Sequence, residues 1–460
     1  MRSLLRTQPW LDFNPVDPKD REKFEILDEI LKAARPALDQ IMADLTRGVN
    51  PDMGRNGMSA DQVLRMLIVK QMYSFDYPEL HSRVSDSIML RKFCDYESGW
   101  VPKFQTIQEN IQKLQPETLE AIHLILIAHA KKLGIEDGAQ VRIDTLAIET
   151  NIHYPQESTL IHDGVRLLTR MMIEARSLFP DAKIHYHNRT RVVKKRAYAM
   201  QNTKATEERV KLYKELVVYA EEVLTHARSA EEKLKTLAGT GDTRTAARAV
   251  AAEIKATADL LEKVIHQTRQ RVFEGQKVPA AGRVVSLFEP HTDIIEKGDR
   301  NPVFGHKVCM TVGRGNLILD AMIERGNPRD VTLFQKALDR QKDVYGRMPN
   351  AVAADGGFAS AANAEYAMGK GVDKVYFSKS VGRKLRELLP SRAVQRLLFR
   401  FRAGVEGVLS SVIRGVGLDR CTWRSWKGFQ AYVWAGIIAH NVKMLMETIY
   451  RLRRAKLARG

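Results

Sequence analysis

The chain has 460 residues, 44% of them hydrophobic and 28% charged, a balance that suits folded units rather than disorder and allows two to four separate cores. Lys and Arg number 73 against 55 acids, and the net charge of +18 favours a polyanionic partner, because each phosphate contacted releases condensed counterions. No apolar run approaches the roughly 20 residues of a membrane span, so a membrane partner is not expected.

In chain order, Met1 to Thr7 lacks the apolar core of a secretory signal. The three scattered cysteines, Cys94, Cys309 and Cys421, suit neither a disulfide framework nor a zinc spacing, so a reducing cytoplasm is the expected location. Residues 1–135 read as a helical DNA-binding or dimerisation region. After the break from Gly48 to Gly57, Ser59 is placed to cap a helix over 61–70, and Thr106 to cap another over 107–114. Short helices alternate with breakers at Tyr77-Pro78, Ser98 to Pro102 and Leu114-Gln115-Pro116. The most apolar helix, Leu119 to His129, is too short to span a bilayer and carries two histidines and a glutamate. Gln140 to Ile148 then alternates polar and apolar residues, which predicts a strand, followed by the loop Asn151 to Pro155. Residues 159–275 are rich in Ala, Glu, Lys, Leu and Arg at helical spacing, with Gly239 and Gly241 marking a reversal. They predict an inserted helical hairpin whose start is basic, including Lys194, Lys195 and Arg196. Strands are predicted at Arg283–Phe288, Val303–Val312 and Leu317–Ile323, joined by a turn at Gly313-Arg314-Gly315. A helix over 331–345, a strand ending at Asp355, a helix near 360–369 and the strand Asp373–Phe377 follow. The order predicts an α/β fold, a mixed sheet flanked by helices, over 136–158 and 276–420. Residues 421–460 form a C-terminal helix and a basic tail that includes Arg459.

Three acids stand out against this frame. Asp144 lies within the first strand, Asp355 ends a later one before Gly356-Gly357, and Glu406 lies on a basic helix. Phosphodiester cleavage needs an activated oxygen nucleophile and charge stabilisation at the leaving oxygen. Two divalent ions held by carboxylates meet both needs, and hard oxygen donors select Mg²⁺, with Mn²⁺ as a substitute. If the two strands are neighbours, Asp144 and Asp355 lie side by side, and the glycines leave room for a turn and a phosphate. Taken singly, an Asp at a strand end also caps turns and a Glu on such a helix also forms surface pairs. Arg402, Glu406, Ser410 and Arg414, each four apart, share one stripe drifting about 40° per step. A carboxylate between arginines suits a metal ligand beside phosphate contacts.

These residues resemble the bacterial insertion-sequence transposases of the DDE class, of the ISNCY-like or a related group, whose catalytic domain has an RNase H-like fold. Phe399-x2-Arg402-x3-Glu406 is similar to the Tyr-x2-Arg-x3-Glu-x6-Lys signature of one large group, with Ile413 at the Lys position and Arg414 one residue later. The segments Asp144 to Pro155, Leu64 to Leu67, Arg91 to Cys94, Val101 to Thr106 and Gly417 to Cys421 resemble theirs as well. The resemblance implies an enzyme with Asp144, Asp355 and Glu406 as its catalytic, metal-holding acids. It also implies Arg402 and Arg414 at backbone phosphates, two Mg²⁺ ions, and cleavage at transposon ends followed by strand transfer. The implied partners are terminal inverted repeats, target DNA and a second copy of the chain. Left open are a standalone nuclease on the same fold and a non-catalytic DNA-binding derivative. No Walker-type loop is present, so ATP is not expected. His153, His185, His187 and His306 show no metal-ligand spacing in sequence, and Trp423 and Trp426 suit either core packing or stacking on a base.

Overall fold

The computed structural model describes residues 17–50, 57–96, 100–296, 301–379 and 391–458. Met1 to Thr7, Ser98, Gly99, Arg459 and most of the break before Gly57 lie outside them. The first helices are α1 (Pro18–Ala33), α2 (Leu38–Leu45), α3 (Ala60–Met72), α4 (Tyr77–Asp86), α5 (Ile88–Phe93), α6 (Phe104–Ile111) and α7 (Pro116–Lys132), followed by strand β1 (Gln140–Glu149). Next come α8 (Glu157–Leu178), α9 (Thr190–Asn202), α10 (Thr206–Lys235), α11 (Gly241–Thr268) and β2 (Asp293–Ile295). The remainder is β3 (Val303–Gly313), β4 (Ile318–Glu324), α12 (Asp330–Tyr345), β5 (Ala351–Ala354), α13 (Ala361–Gly369), β6 (Lys374–Phe377), α14 (Arg392–Val416) and α15 (Ser425–Leu457). Among the described residues no helix is long and apolar enough to cross a membrane.

The chain forms two units, one from the residues up to Asn151 and from His306 onward, the other from Ile152 to Gly305. In the first, Ser59 caps α3 through a reciprocal capping box with Gln62, and every residue of α3 is buried. Thr106 does not cap: α6 starts at Phe104, just after Pro102, and the N-cap is Lys103. Helix α15 is buried from Phe429 to Val442 except at Gln430, and it packs against α7, α1 and α3. The sheet of this unit is mixed. β3 and β4 pair antiparallel, while β1, β5 and β6 run parallel, with β1 between β3 and β5. Helix α14 lies on β1 and β5, and α12 against β4 and β1. After α14 the chain returns beside the end of β1, where Glu149 N–H donates to Asp419 O at 3.0 Å and Cys421 N–H to Glu149 O at 2.7 Å.

The second unit packs α8, α9, α10 and α11 around Leu160, Leu168, Leu216, Val223, Ile254 and Leu261. The long hairpin expected around Gly239 is α10 and α11, joined here by two further helices. Arg283–Phe288 is not a strand. Val284 instead exchanges two hydrogen bonds of 3.0 Å with the Gln267 side chain, whose amide mimics a neighbouring strand, and the Ser286 hydroxyl accepts from Phe288 and Glu289 N–H. The antiparallel partner of residues 303–305 is β2.

Candidate active site

Strands β1 and β5 run parallel in a register that pairs Ile143 with Ala354. The next residue on each is Asp144 and Asp355, so the two acids stand side by side. Asp144 is largely covered, its side chain 14% exposed, whereas that of Asp355 is 45% exposed. The Thr145 N–H donates to Asp144 Oδ1 at 2.7 Å. Ser378, just past the end of β6, donates its hydroxyl to Asp355 Oδ1 at 2.6 Å. Burial alone would raise the Asp355 pKa. The Ser378 hydroxyl, the Gly356 N–H and the positive charges of Arg402 and Lys379 outweigh it, so Asp355 is held below the usual carboxylate range.

Gly356 and Gly357 have ordinary backbone angles, and the space they leave is filled by protein. A Cβ on Gly356 would meet the Lys379 side chain, and one on Gly357 would lie 2.8 Å from Asp330 Oδ2. Asp330 is a fourth acid close by, within 3.4 Å of the Thr145 hydroxyl, but Lys307 neutralises it at 2.8 Å.

Helix α14 supplies the third carboxylate. Ser391 caps its start, and Leu398, Val405, Val408, Val412 and Val416 form the buried stripe that seats it. Arg142, two residues before Asp144 and so on the same strand face, fastens it further. Its guanidinium donates to Phe401 O at 2.8 Å, bonds Asn316 Oδ1 and stacks over the Phe401 ring at 5.0 Å. This approach needs Gly404, since a Cβ there would collide with Arg142 Nη1.

One turn apart on α14, Arg402 reaches the two strand ends and also pairs with Glu406, whose side chain is 71% exposed. Arg402 Nη2 lies 3.0 Å from Asp355 Oδ1 and 3.7 Å from Asp144 Oδ2, and Nη1 lies 3.2 Å from Glu406 Oε1. The guanidinium therefore bridges three carboxylates drawn from three elements. Its Nε is buried with no hydrogen-bond partner. The carboxylate oxygens are not gathered as tightly as ligands of a bound ion: among the described residues only His187, Glu222 and His226 bring three donor atoms within 4.8 Å of one another.

The other expected residues fall elsewhere. Arg414 is exposed in the last turn of α14 and pairs with none of the three acids. Ile413, at the signature's Lys position, packs on the core, while Phe399 is 56% exposed. In the second unit, Lys194 and Lys195 are exposed on α9, and Arg196 pairs with Glu215. Trp423 is buried and Trp426 stacks on Phe429, so both serve the core. His306 is buried edge-on against Trp426 and Phe429. Sequence reasoning missed Arg142, Gly404, Ser378 and Lys379. Only Arg142 left a signal, a charge on the face of a strand that also carries Asp144.

Residues 285–442 match the family described as Transposase DDE domain, and residues 18–113 match Transposase domain (DUF772). The chain belongs to the DDE transposases. As a transposase it is an enzyme that cleaves DNA and transfers strands, and enzymes of this family work with divalent metal ions. The matches name no finer group. Asp355, Arg402, Glu406 and Arg414 fall within the first match, and Asp144 lies outside both. No curated protein and no solved structure matches the chain. The candidate site offers oxygen donors from three carboxylates around one positive charge, and such donors fit a hard divalent cation.

Proposed function

We propose that this transposase cuts at the terminal inverted repeats of its element and joins the freed 3′ ends to target DNA in a single site. Asp144, Asp355 and Glu406 would there hold two Mg²⁺ ions, or Mn²⁺ in their place. The observation that carries this reading is the convergence of all three acids on one guanidinium. Divalent ions held by such a set activate the attacking oxygen and neutralise charge on the leaving one.

The residues of the chain divide the remaining work. Ser378 fixes the orientation of Asp355, and Arg142 fixes α14, and with it Glu406, against β1. Arg402 supplies a positive charge that the three acids share. Its fork of donors, with Nε buried and unpartnered, would also suit a backbone phosphate of bound DNA. Arg414, Lys194, Lys195 and Arg196 add phosphate contacts, which position DNA without reading its sequence. Residues 1–135 bind the transposon ends or a second copy, and a homodimer brings the two ends together.

Asp144→Asn, Asp355→Asn and Glu406→Gln are each expected to abolish Mg²⁺-dependent nicking of a labelled transposon end, with binding retained in a gel-shift assay. Undiminished nicking by all three variants would sink the assignment.

A further inference from the structure

The second unit holds a cluster of a different chemistry. Before α9 the chain runs Ile184-His185-Tyr186-His187, with Ile184 buried and Tyr186 half-buried under the Arg176 guanidinium at 5.0 Å. That alternation turns His185 and His187 outward. His187 Nδ1 lies 2.6 Å from Glu222 Oε1 on α10. His226 follows Glu222 by four residues, one turn along the same face, and its ring centroid lies 4.8 Å from that of His187. One donor atom from each of the three residues lies within 4.8 Å of the other two.

We propose that His187, Glu222 and His226 form a divalent-metal site. Two imidazoles and one carboxylate suit Zn²⁺ rather than Mg²⁺, with Co²⁺ or Ni²⁺ as alternatives, and three protein ligands leave a position for water. This donor set is unlike the all-carboxylate set of Asp144, Asp355 and Glu406. An ion here would tie the segment that leads into α9, the helix carrying Lys194 and Lys195, to the middle of α10.

One neighbour opposes the ion. Arg189 grips both oxygens of Glu222, Nε to Oε2 at 2.7 Å and Nη2 to Oε1 at 2.8 Å. Its hydrogen bond, with that of His187, holds the Glu222 carboxyl below the usual carboxylate range. An ion must therefore share this carboxylate with a guanidinium. Affinity is therefore expected to rise when Arg189 is removed. That competition separates a metal site from a plain ion pair.

The test uses the full chain stripped with chelator and dialysed against Zn²⁺ in excess Mg²⁺, with bound zinc measured by elemental analysis and Co²⁺ absorption as a second readout. Circular dichroism of the metal-free variants serves as the folding control. The expected result is one zinc in the wild type, at least tenfold weaker binding in His187→Gln and His226→Gln, and tighter binding in Arg189→Gln. Equal zinc uptake by the wild type and the His187→Gln/His226→Gln double variant, or none by the wild type, would overturn the proposal.

Discussion

Arg402 sits where a phosphate contact was expected but is ion-paired with all three acids of the site. A charge that stabilises the acids without metal must compete with metal. In Arg402→Gln, Mn²⁺ binding followed by electron paramagnetic resonance is expected to tighten several-fold. DNA cleavage should fall by about 10² to 10³, the scale of losing one charge-stabilising donor. Weaker Mn²⁺ binding in this variant would show that Arg402 helps to build the metal site instead of guarding it. A second charge, Lys70, tests burial more directly. Burial pushes its pKa down to about 8, only partly opposed by Asp76. Because the folded value lies below the unfolded one, the unfolded chain binds more protons between about pH 8 and 10.5. Stability attributable to this group therefore rises with pH across that window. Lys70→Met is expected to raise the melting temperature at pH 7 and to flatten the rise above pH 8. The effect should be of order 1–3 kcal/mol, provided that lost stacking over the Tyr77 ring, 5.0 Å away, does not offset it.

At the scale of elements, the site depends on how α14 is seated. Its helical stripe and the Arg402–Glu406 spacing are local properties, readable from residue order alone. The clasp that holds it is not, because Arg142 and Phe401 are 259 residues apart and meet only when the strand and helix pack. Two glycines on this helix make a paired test. Gly404→Ala should push Arg142 from Phe401 O and Asn316, shift Glu406 and lower both cleavage and melting temperature. Gly407→Ala meets nothing within 4 Å of the added Cβ. It should stabilise the helix by about 0.5–1 kcal/mol, as Ala replaces Gly in a helix interior. Equal melting temperatures for the two variants would remove the clasp from the account. The missed element at Arg283–Phe288 teaches the same lesson: its β-prone residues find a side-chain amide, that of Gln267, in place of a strand.

For the whole molecule, the excess of positive charge and the phosphate-rich substrate predict a steep salt dependence. With six to ten phosphates contacted, affinity for transposon-end DNA should fall by about 10³ to 10⁵ between 50 and 200 mM salt, measured by fluorescence anisotropy. A nearly flat response would mean that the net charge of +18 plays little part in binding. The residue order by itself determined the family, most of the order of strands and helices, and the choice of Asp144, Asp355 and Glu406 as candidates. These rest on local periodicity and on short motifs whose spacing survives without knowledge of packing. Tertiary structure alone decided that Asp144 and Asp355 stand in register, that Arg402 lies among the acids rather than pointing away from them, and that His187 meets Glu222 and His226. Each of these is a contact between segments far apart in the chain, set by strand register and helix seating, which no local pattern encodes.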